Sequence, residues 1–333
     1  MKALVTGATG FVGSHLVERL LAGGMEVVCL LRRTSDPAWL AGLPVEKRTA
    51  ALEEPDALRQ AVAGCDYVFH VAGLTRARTA RQYLAVNAEG TRRLVEAVAD
   101  RAPSVRRFVY VSSLAAVGPN PSAEPLDEAA QPHPIDAYGR SKLAGERIVL
   151  AAADRLPVTI VRPPAVYGPR DRNVLPLFRA ARRLGRVPIV GKASKQATFV
   201  HAADLARGIA LAAASPAAVG KTYFLGSGTY TMADVVAAVA ATLGIRPRRL
   251  AIPALLARLA GEIGELKWAL TGRSQIVSRR KVRDMLQPRW TCSWARARDE
   301  LGYREQVGLA DGMRQTADWY ADRGWLAGGR PGG

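Results

Sequence analysis

Cysteine is nearly absent: Cys29, Cys65 and Cys292 are the three in a chain of 333 residues. They are odd in number, far apart and in no Cys-x-x-Cys pair, so neither a disulfide framework nor a metal site is expected. Long hydrophobic runs are missing too. The apolar C-terminal region Ile252 to Thr271 is broken by Arg258, Glu262, Glu265 and Lys267, well short of the roughly 18 uncharged residues that read as a membrane span. Met1 leads directly into a strand-like run with no room for the segments of a secretory leader, so a cytoplasmic protein is expected. Acidic residues are scarce: 29 Asp and Glu face 47 Lys and Arg, a formal net charge of +18. The excess is almost all arginine, scattered along the chain with one tighter group at Arg279, Arg280, Lys281 and Arg283. No nucleic-acid-binding module accompanies it, so nucleic acid is not an expected partner. With 49% hydrophobic and 23% charged residues, disorder, collagen and coiled coil are excluded.

What is present is rhythm. Short β-branched runs at Ala3 to Thr6, Val27 to Leu31, Val45 to Ala50, Tyr67 to Val71, Arg107 to Ser112 and Val158 to Arg162 alternate with loops or helix-period stretches, the pattern of βαβ units closing a parallel sheet. After Arg162 the rhythm gives way to the turn-rich Pro163-Pro164-Ala165-Val166-Tyr167-Gly168-Pro169-Arg170 and shorter elements, so a second, smaller domain is expected. The division expected is residues 1–165 for the first domain, with 196–227 returning to it, and 166–195 and 228–330 for the second. The closing Gly-Gly-Arg-Pro-Gly-Gly reads as a loose tail.

Two patterns carry chemistry. Gly7-Ala8-Thr9-Gly10-Phe11-Val12-Gly13 follows the first strand and opens a helix. A strand, a glycine turn and a helix N-terminus bring backbone N–H groups and a positive dipole end against a pyrophosphate. Tyr138 and Lys142 stand four apart in helical text and so share one face. A tyrosine has an unperturbed pKa of about 10, and a neighbouring ammonium stabilises the phenolate and brings it towards the working range of an acid or base.

The glycine text resembles the short-chain dehydrogenase/reductase superfamily, in particular its extended branch of epimerases, dehydratases and ketone reductases. Phe69-His70-Val71-Ala72-Gly73, Val86-Asn87-Ala88-Glu89-Gly90-Thr91, Val111-Ser112-Ser113, Tyr138-Gly139-Arg140-Ser141-Lys142, the proline-rich turn after Arg162 and Phe199-Val200-His201-Ala202-Ala203-Asp204 agree with it, in family order, over the first two-thirds of the chain. The resemblance implies an α/β fold, a Rossmann-type doubly wound parallel sheet with a smaller C-terminal α+β substrate domain. It implies a catalytic set of Ser113, Tyr138 and Lys142, with Lys142 also holding the nicotinamide ribose. Ser112 competes with Ser113, and the spacing of Ser113 to Gly118 favours the latter. The implied cofactor site comprises Gly7, Thr9, Gly10, Phe11, Val12, Gly13, Arg32, Arg33, Leu52, Ala72, Gly73, Tyr138, Lys142, Pro163 and Val166. Asn87 either orders this wall or fixes a helix to a strand, and His201 is read as a packing residue.

Where relatives using NAD carry a carboxylate at the end of the second strand, this chain has Leu31, Arg32 and Arg33, so NADP is expected, with NAD possible. Nucleotide-sugar enzymes of the branch grip a pyrophosphate with an asparagine and an arginine at positions that here hold Ala165 and Ala197, although Arg170, Lys195 or Gln196 could substitute. The expected substrate is therefore an uncharged carbonyl or alcohol compound, nearest the dihydroflavonol reductase and 3β-hydroxysteroid dehydrogenase side. A nucleotide-sugar epimerase or dehydratase and a non-catalytic cofactor-binding scaffold or redox sensor are the rivals. Leu255, Leu256, Leu259 and Ile263 stand at helical spacing and read as a pocket wall or, more safely, as a core-facing helix. The helices from Arg81 to Arg101 and from Tyr138 to Ala153 resemble the pair that forms a homodimer interface in the family.

Overall fold

A computed structural model of the chain describes residues 1–102, 104–271 and 279–326; the glycine-rich ending lies outside them. Strand β1 (Lys2–Thr6) is followed by α1 (Phe11–Ala22), β2 (Glu26–Leu31), β3 (Val45–Thr49), α2 (Pro55–Val62), β4 (Tyr67–His70), α3 (Ala80–Leu84), α4 (Thr91–Arg101), β5 (Arg107–Val111), α5 (Ala137–Leu150) and β6 (Val158–Arg162). These six strands pair in parallel, and the sheet gains a seventh, β10 (Thr222–Phe224), in the order β10-β6-β5-β4-β1-β2-β3. The order runs outward on both sides of β1 and β4, so the chain reverses direction of travel between them and leaves a crevice at the carboxyl ends of the strands. Side chains alternate across the sheet: Ala3 and Val5 join a core with Leu16, Val17, Leu205 and Ile209, whereas Leu4 joins the opposite core with Leu58, Leu94, Val98 and Val149. Both faces are buried, which explains strands that read as nearly continuous apolar runs.

Beyond β6 come β7 (Ala165–Tyr167), α6 (Leu175–Leu184), β8 (Val187–Val190), β9 (Gln196–His201), α7 (Ala202–Ala214), β10 (Thr222–Phe224), β11 (Gly228–Thr231), α8 (Met232–Leu243), β12 (Arg249–Ile252), α9 (Ala254–Thr271), α10 (Arg279–Leu286), β13 (Arg289–Trp290), α11 (Ala295–Leu301) and α12 (Leu309–Asp322). Strand β9 centres a second, small sheet with β7, β11 and β13, while β12 pairs with β8. Within residues 196–227, α7 packs on the main-sheet core and β10 joins that sheet, whereas β9 belongs to the second one. A third core gathers Phe178, Val239, Met313 and Tyr320.

One expectation is overturned. Leu255, Leu256, Leu259 and Ile263 on α9 do not face a core; all four are exposed. Among the residues of α9 whose burial is described, Ala257, Gly261 and Gly264 are the buried ones, and a Cβ placed at Gly261 would meet Val282 of α10 at 3.3 Å. Small residues let α10 approach closely, so the large side chains are left on the outside.

Candidate active site

The turn after β1 is built by close approach. Gly7 has φ +68, and a Cβ there would stand 2.8 Å from Ala72 N; one at Gly13 would stand 2.1 Å from Gly7 O. Neither position tolerates a side chain without moving backbone. Gly10 begins α1 with no side-chain cap, and no acidic residue sits in the first turn, so the helix N-terminus faces the crevice with its N–H groups free for an anion.

From this turn a cavity of about 510 Å³ runs across the carboxyl ends of the strands. Its wall contains Gly7, Thr9, Gly10, Phe11, Val12 and Gly13, then Arg32 and Leu52, then Ala72 and Gly73, and at the far end Ser113, Tyr138, Lys142, Pro163 and Val166. Of the residues expected in the cofactor and catalytic sets, Arg33 alone is not in that wall; it is exposed. Ser35, which sequence reasoning missed, lines the cavity beside Arg32, and its hydroxyl accepts from Arg32 N at 3.0 Å. An elongated cleft with a glycine turn, an uncapped helix start and a cation at one end and titratable groups at the other fits a dinucleotide.

A buried chain of hydrogen bonds fixes the floor. His70 Nδ1 meets Thr6 Oγ1 at 2.8 Å, His70 Nε2 meets Thr91 Oγ1 at 2.9 Å, and the Thr91 hydroxyl donates to Asn87 O. Burial, and then the charge of Lys142, depress the His70 pKa to about 3, so the imidazole is a neutral strut. Asn87 lies in a widened π-type turn over Ala85–Gly90. Its Oδ1 accepts from Leu74 N at 2.7 Å, and its Nδ2 donates to Leu74 O and to Ser141 Oγ. It therefore ties the loop after β4 to α5 and is itself absent from the cavity wall.

Helix α5 starts at a cap. Asp136 Oδ1 accepts from Gly139 N at 2.6 Å, which sets the direction in which Tyr138 leaves the helix. Ser113 caps the short turn Leu114–Ala116 by accepting from Ala115 N at 3.1 Å. That leaves its own proton to donate, and it bonds towards Tyr138. The Ser112 hydroxyl, also in the wall, is buried without a partner among the described residues. Lys142 Nζ donates to Val111 O at 2.8 Å and sits 4.1 Å above the Tyr110 ring. Burial pulls its pKa down to about 7, opposed by Glu146 one turn on. One N–H of the ammonium is spent on Val111, and the others remain for a ligand.

A second cation, besides the Lys142 expected to tune Tyr138, stands against the phenol. Burial raises the Tyr138 pKa, while the Ser113 hydrogen bond and then the Arg280 charge lower it. Arg280 lies 5.3 Å from the centre of the Tyr138 ring, with Nη1 3.1 Å from Asp136 Oδ2 and Nη2 donating to Thr75 O. No motif marks Arg280; the only sequence signal was its place in the tight basic group. It also lines a second cavity, of about 330 Å³, whose wall holds Arg76, Arg78, Arg140, Arg279, Lys281 and Arg283 against Asp136 and Glu265.

The residues considered as pyrophosphate ligands lie elsewhere. Ala165 of β7 pairs with Phe199, and Ala197 of β9 pairs with Tyr230. Arg170 reaches Ser14 and Glu18 of α1, Lys195 donates to Val190 O and Met285 O, and neither they nor Gln196 line either cavity. His201 accepts from Ala203 N and packs 5.4 Å from the Tyr167 ring, outside both cavities.

The pattern of the NAD dependent epimerase/dehydratase family matches residues 3–226. The chain belongs to that family. It is 35% identical over 330 residues to the ceramide reductase of Caulobacter vibrioides, covering 97% of this chain and 95% of that protein. It is 28% identical over 332 residues to the 2-alkyl-3-oxoalkanoate reductase of Shewanella oneidensis, covering 94% and 84%. The crystal structure of a dTDP-glucose 4,6-dehydratase from Streptomyces venezuelae, with NAD and TYD bound, superposes with a TM-score of 0.80 at 26% identity, covering 98% of this chain and 99% of that one. The protein is accordingly a nicotinamide-dependent oxidoreductase of the extended short-chain dehydrogenase/reductase type, with a Rossmann-like parallel sheet.

Arg280→Met removes a cation that lowers the Tyr138 pKa. A tyrosine acting as an acid must be protonated, so the alkaline limb of kcat/KM for reduction should move to higher pH. A pH profile that superposes on the wild type would remove Arg280 from the site.

Proposed function

We propose that the protein is an NADP-dependent reductase of an uncharged, apolar carbonyl compound, working between that compound and its alcohol. The observation that carries this reading is the meeting of Ser113, Tyr138 and Lys142 at one end of the long cavity, with Arg32 at the other. When bound, the nicotinamide supplies the hydride. Tyr138, which burial keeps protonated, gives its proton to the carbonyl oxygen. Ser113, its lone pair committed to Ala115 N, donates to the same oxygen and polarises the bond. Lys142, steadied by Val111 O, holds the ribose hydroxyls. The apolar character is supported by the names of the two reductases reported above, a ceramide reductase and a reductase of an alkyl-bearing 3-oxoalkanoate, and the lack of a phosphate-like charge by Ala165 and Ala197 where pyrophosphate ligands are expected. In this reading residues 1–165, with α7 and β10, bind the cofactor, and residues 166–195 and 228–330 hold the substrate. The protein would work in the cytoplasm as a homodimer through the helices of residues 81–101 and 138–153, on which Leu84 and Leu150 are exposed; sedimentation as a monomer at micromolar concentration would reject that assembly.

Tyr138→Phe deletes one hydroxyl. It should keep cofactor affinity while turnover falls by about 10²- to 10⁴-fold, and undiminished turnover would end the proposed mechanism.

A second reading, a nucleotide-sugar epimerase or dehydratase, is favoured by the solved relative and by the basic cavity beside Tyr138. Calorimetric titration separates the two readings, because UDP and dTDP should give no saturable heat. Micromolar binding of either would favour the second.

The same titration tests the cofactor. Arg32 meets a 2′-phosphate that Leu31 does not repel, and a hydrogen bond to a charged group is worth about 1.5 to 3 kcal/mol. NADPH should bind roughly tenfold or more tightly than NADH, and Arg32→Ala should erase most of the difference. An NADH preference in the wild type would refute the assignment.

A further inference from the structure

Helix α9 is built inside out. Among its described residues the buried ones are Ala257, Gly261 and Gly264, while Leu255, Leu256, Leu259 and Ile263 are 67%, 56%, 51% and 54% exposed. A helix whose outer face meets only water has the opposite arrangement, and four large apolar side chains on adjoining turns form one contiguous patch. The helix is not a membrane span: no helix among the described residues is long and apolar enough to cross a bilayer.

The surroundings identify what the patch meets. Among the described residues from 246 to 286 there are nine cations, Arg246, Arg248, Arg249, Arg258, Lys267, Arg279, Arg280, Lys281 and Arg283, against Glu262, Glu265 and Asp284. The three carboxylates are already engaged: Glu262 pairs with Arg279, Glu265 accepts from Arg279 N, and Asp284 lies 3.7 Å from Arg280. Arg246, Arg248, Arg249 and Arg258 are exposed around the start of the helix. A two-fold contact with a second copy would set this basic rim against itself, since the same patch serves both partners. A sheet of phosphate headgroups over acyl chains complements both features at once, apolar face inward and cations at headgroup level.

We propose that α9 seats the protein on the surface of an anionic phospholipid bilayer. The cavity lined by Arg280 is also lined by Glu265 and Trp268 of the same helix, which puts it about one helix diameter behind the docked face. Delivery of an apolar substrate from the bilayer rests on the function proposed above; the docking itself does not.

The experiment is co-sedimentation of the full chain with vesicles of phosphatidylcholine alone and of phosphatidylcholine containing phosphatidylglycerol, at low and high salt. The wild type should pellet with the anionic vesicles, remain in solution with the neutral ones and be released by salt. Leu255→Ser/Leu259→Ser/Ile263→Ser should stay in solution with both, while its cofactor binding and sedimentation coefficient match the wild type. Arg248→Ser/Arg249→Ser/Arg258→Ser, with the patch intact, should lower the affinity for anionic vesicles by about tenfold or more. A wild type that ignores anionic vesicles overturns the proposal, as does undiminished pelleting of the serine variant. So does a serine variant that changes the oligomeric state, because the occupant is then a second copy. Vesicle binding is read without turnover, so failure to reduce a carbonyl compound would strike the function and leave this result standing.

Discussion

Helix α5 touches the sheet with no space between. A Cβ at Gly145 would lie 2.2 Å from the Tyr110 hydroxyl, and one at Gly139 would lie 2.2 Å from Ala115 O. This contact fixes where everything else on the helix can be. Tyr138, Ser141, Lys142 and Glu146 leave the same helix, and each meets a different fixed partner: the Ser113 turn, the Asn87 amide, the Val111 carbonyl and the Arg162 guanidinium. Shifting α5 outward by the width of a methyl group would break all four together.

The electrostatics of that face follow from the same closeness. Glu146 and Arg162 form a buried two-pronged pair at 2.9 and 2.7 Å. Such a pair gives little net stability when whole, yet removing one partner leaves an uncompensated buried charge, which typically costs about 3–5 kcal/mol. Because Glu146 is committed to Arg162, it can only partly oppose the desolvation of Lys142, whose pKa falls to about 7. A lysine of that kind changes charge near neutral pH, and a ligand that offers hydroxyl acceptors favours its protonated form.

Legibility from sequence divides along the distance between partners. The six main strands were readable to within a residue at each end, because their burial on both faces leaves an apolar run in the local text. Strand β10 was not, since three residues from Thr222 to Phe224 carry too little pattern and their pairing with β6 lies some way back along the chain. The second sheet is hidden for the same reason. In the cavity, residues belonging to compact motifs fell into the wall, whereas Arg33 did not and Ser35 went unnoticed, because the turn after β2 is set by a side-chain hydrogen bond and not by a text pattern. Arg280 comes from α10, which reaches Tyr138 only through the packing of the whole second region.

The misreading of α9 has a different cause. Helical spacing of leucines states that one face is apolar, and says nothing of what covers it. Burial is decided by how closely the neighbour can come, and α10 comes close at Gly261. Once the small face is taken, the leucines have nowhere to go but outward, and the arginines gathered beside them keep that face from meeting its like. The charge excess, scattered along the sequence, thus has local structure: around Tyr138 it supplies Arg280, and around α9 it supplies a rim. The two are joined through Glu265 and Trp268, so the helix that offers its leucines to the exterior also lines the cavity from which Arg280 acts on the tyrosine.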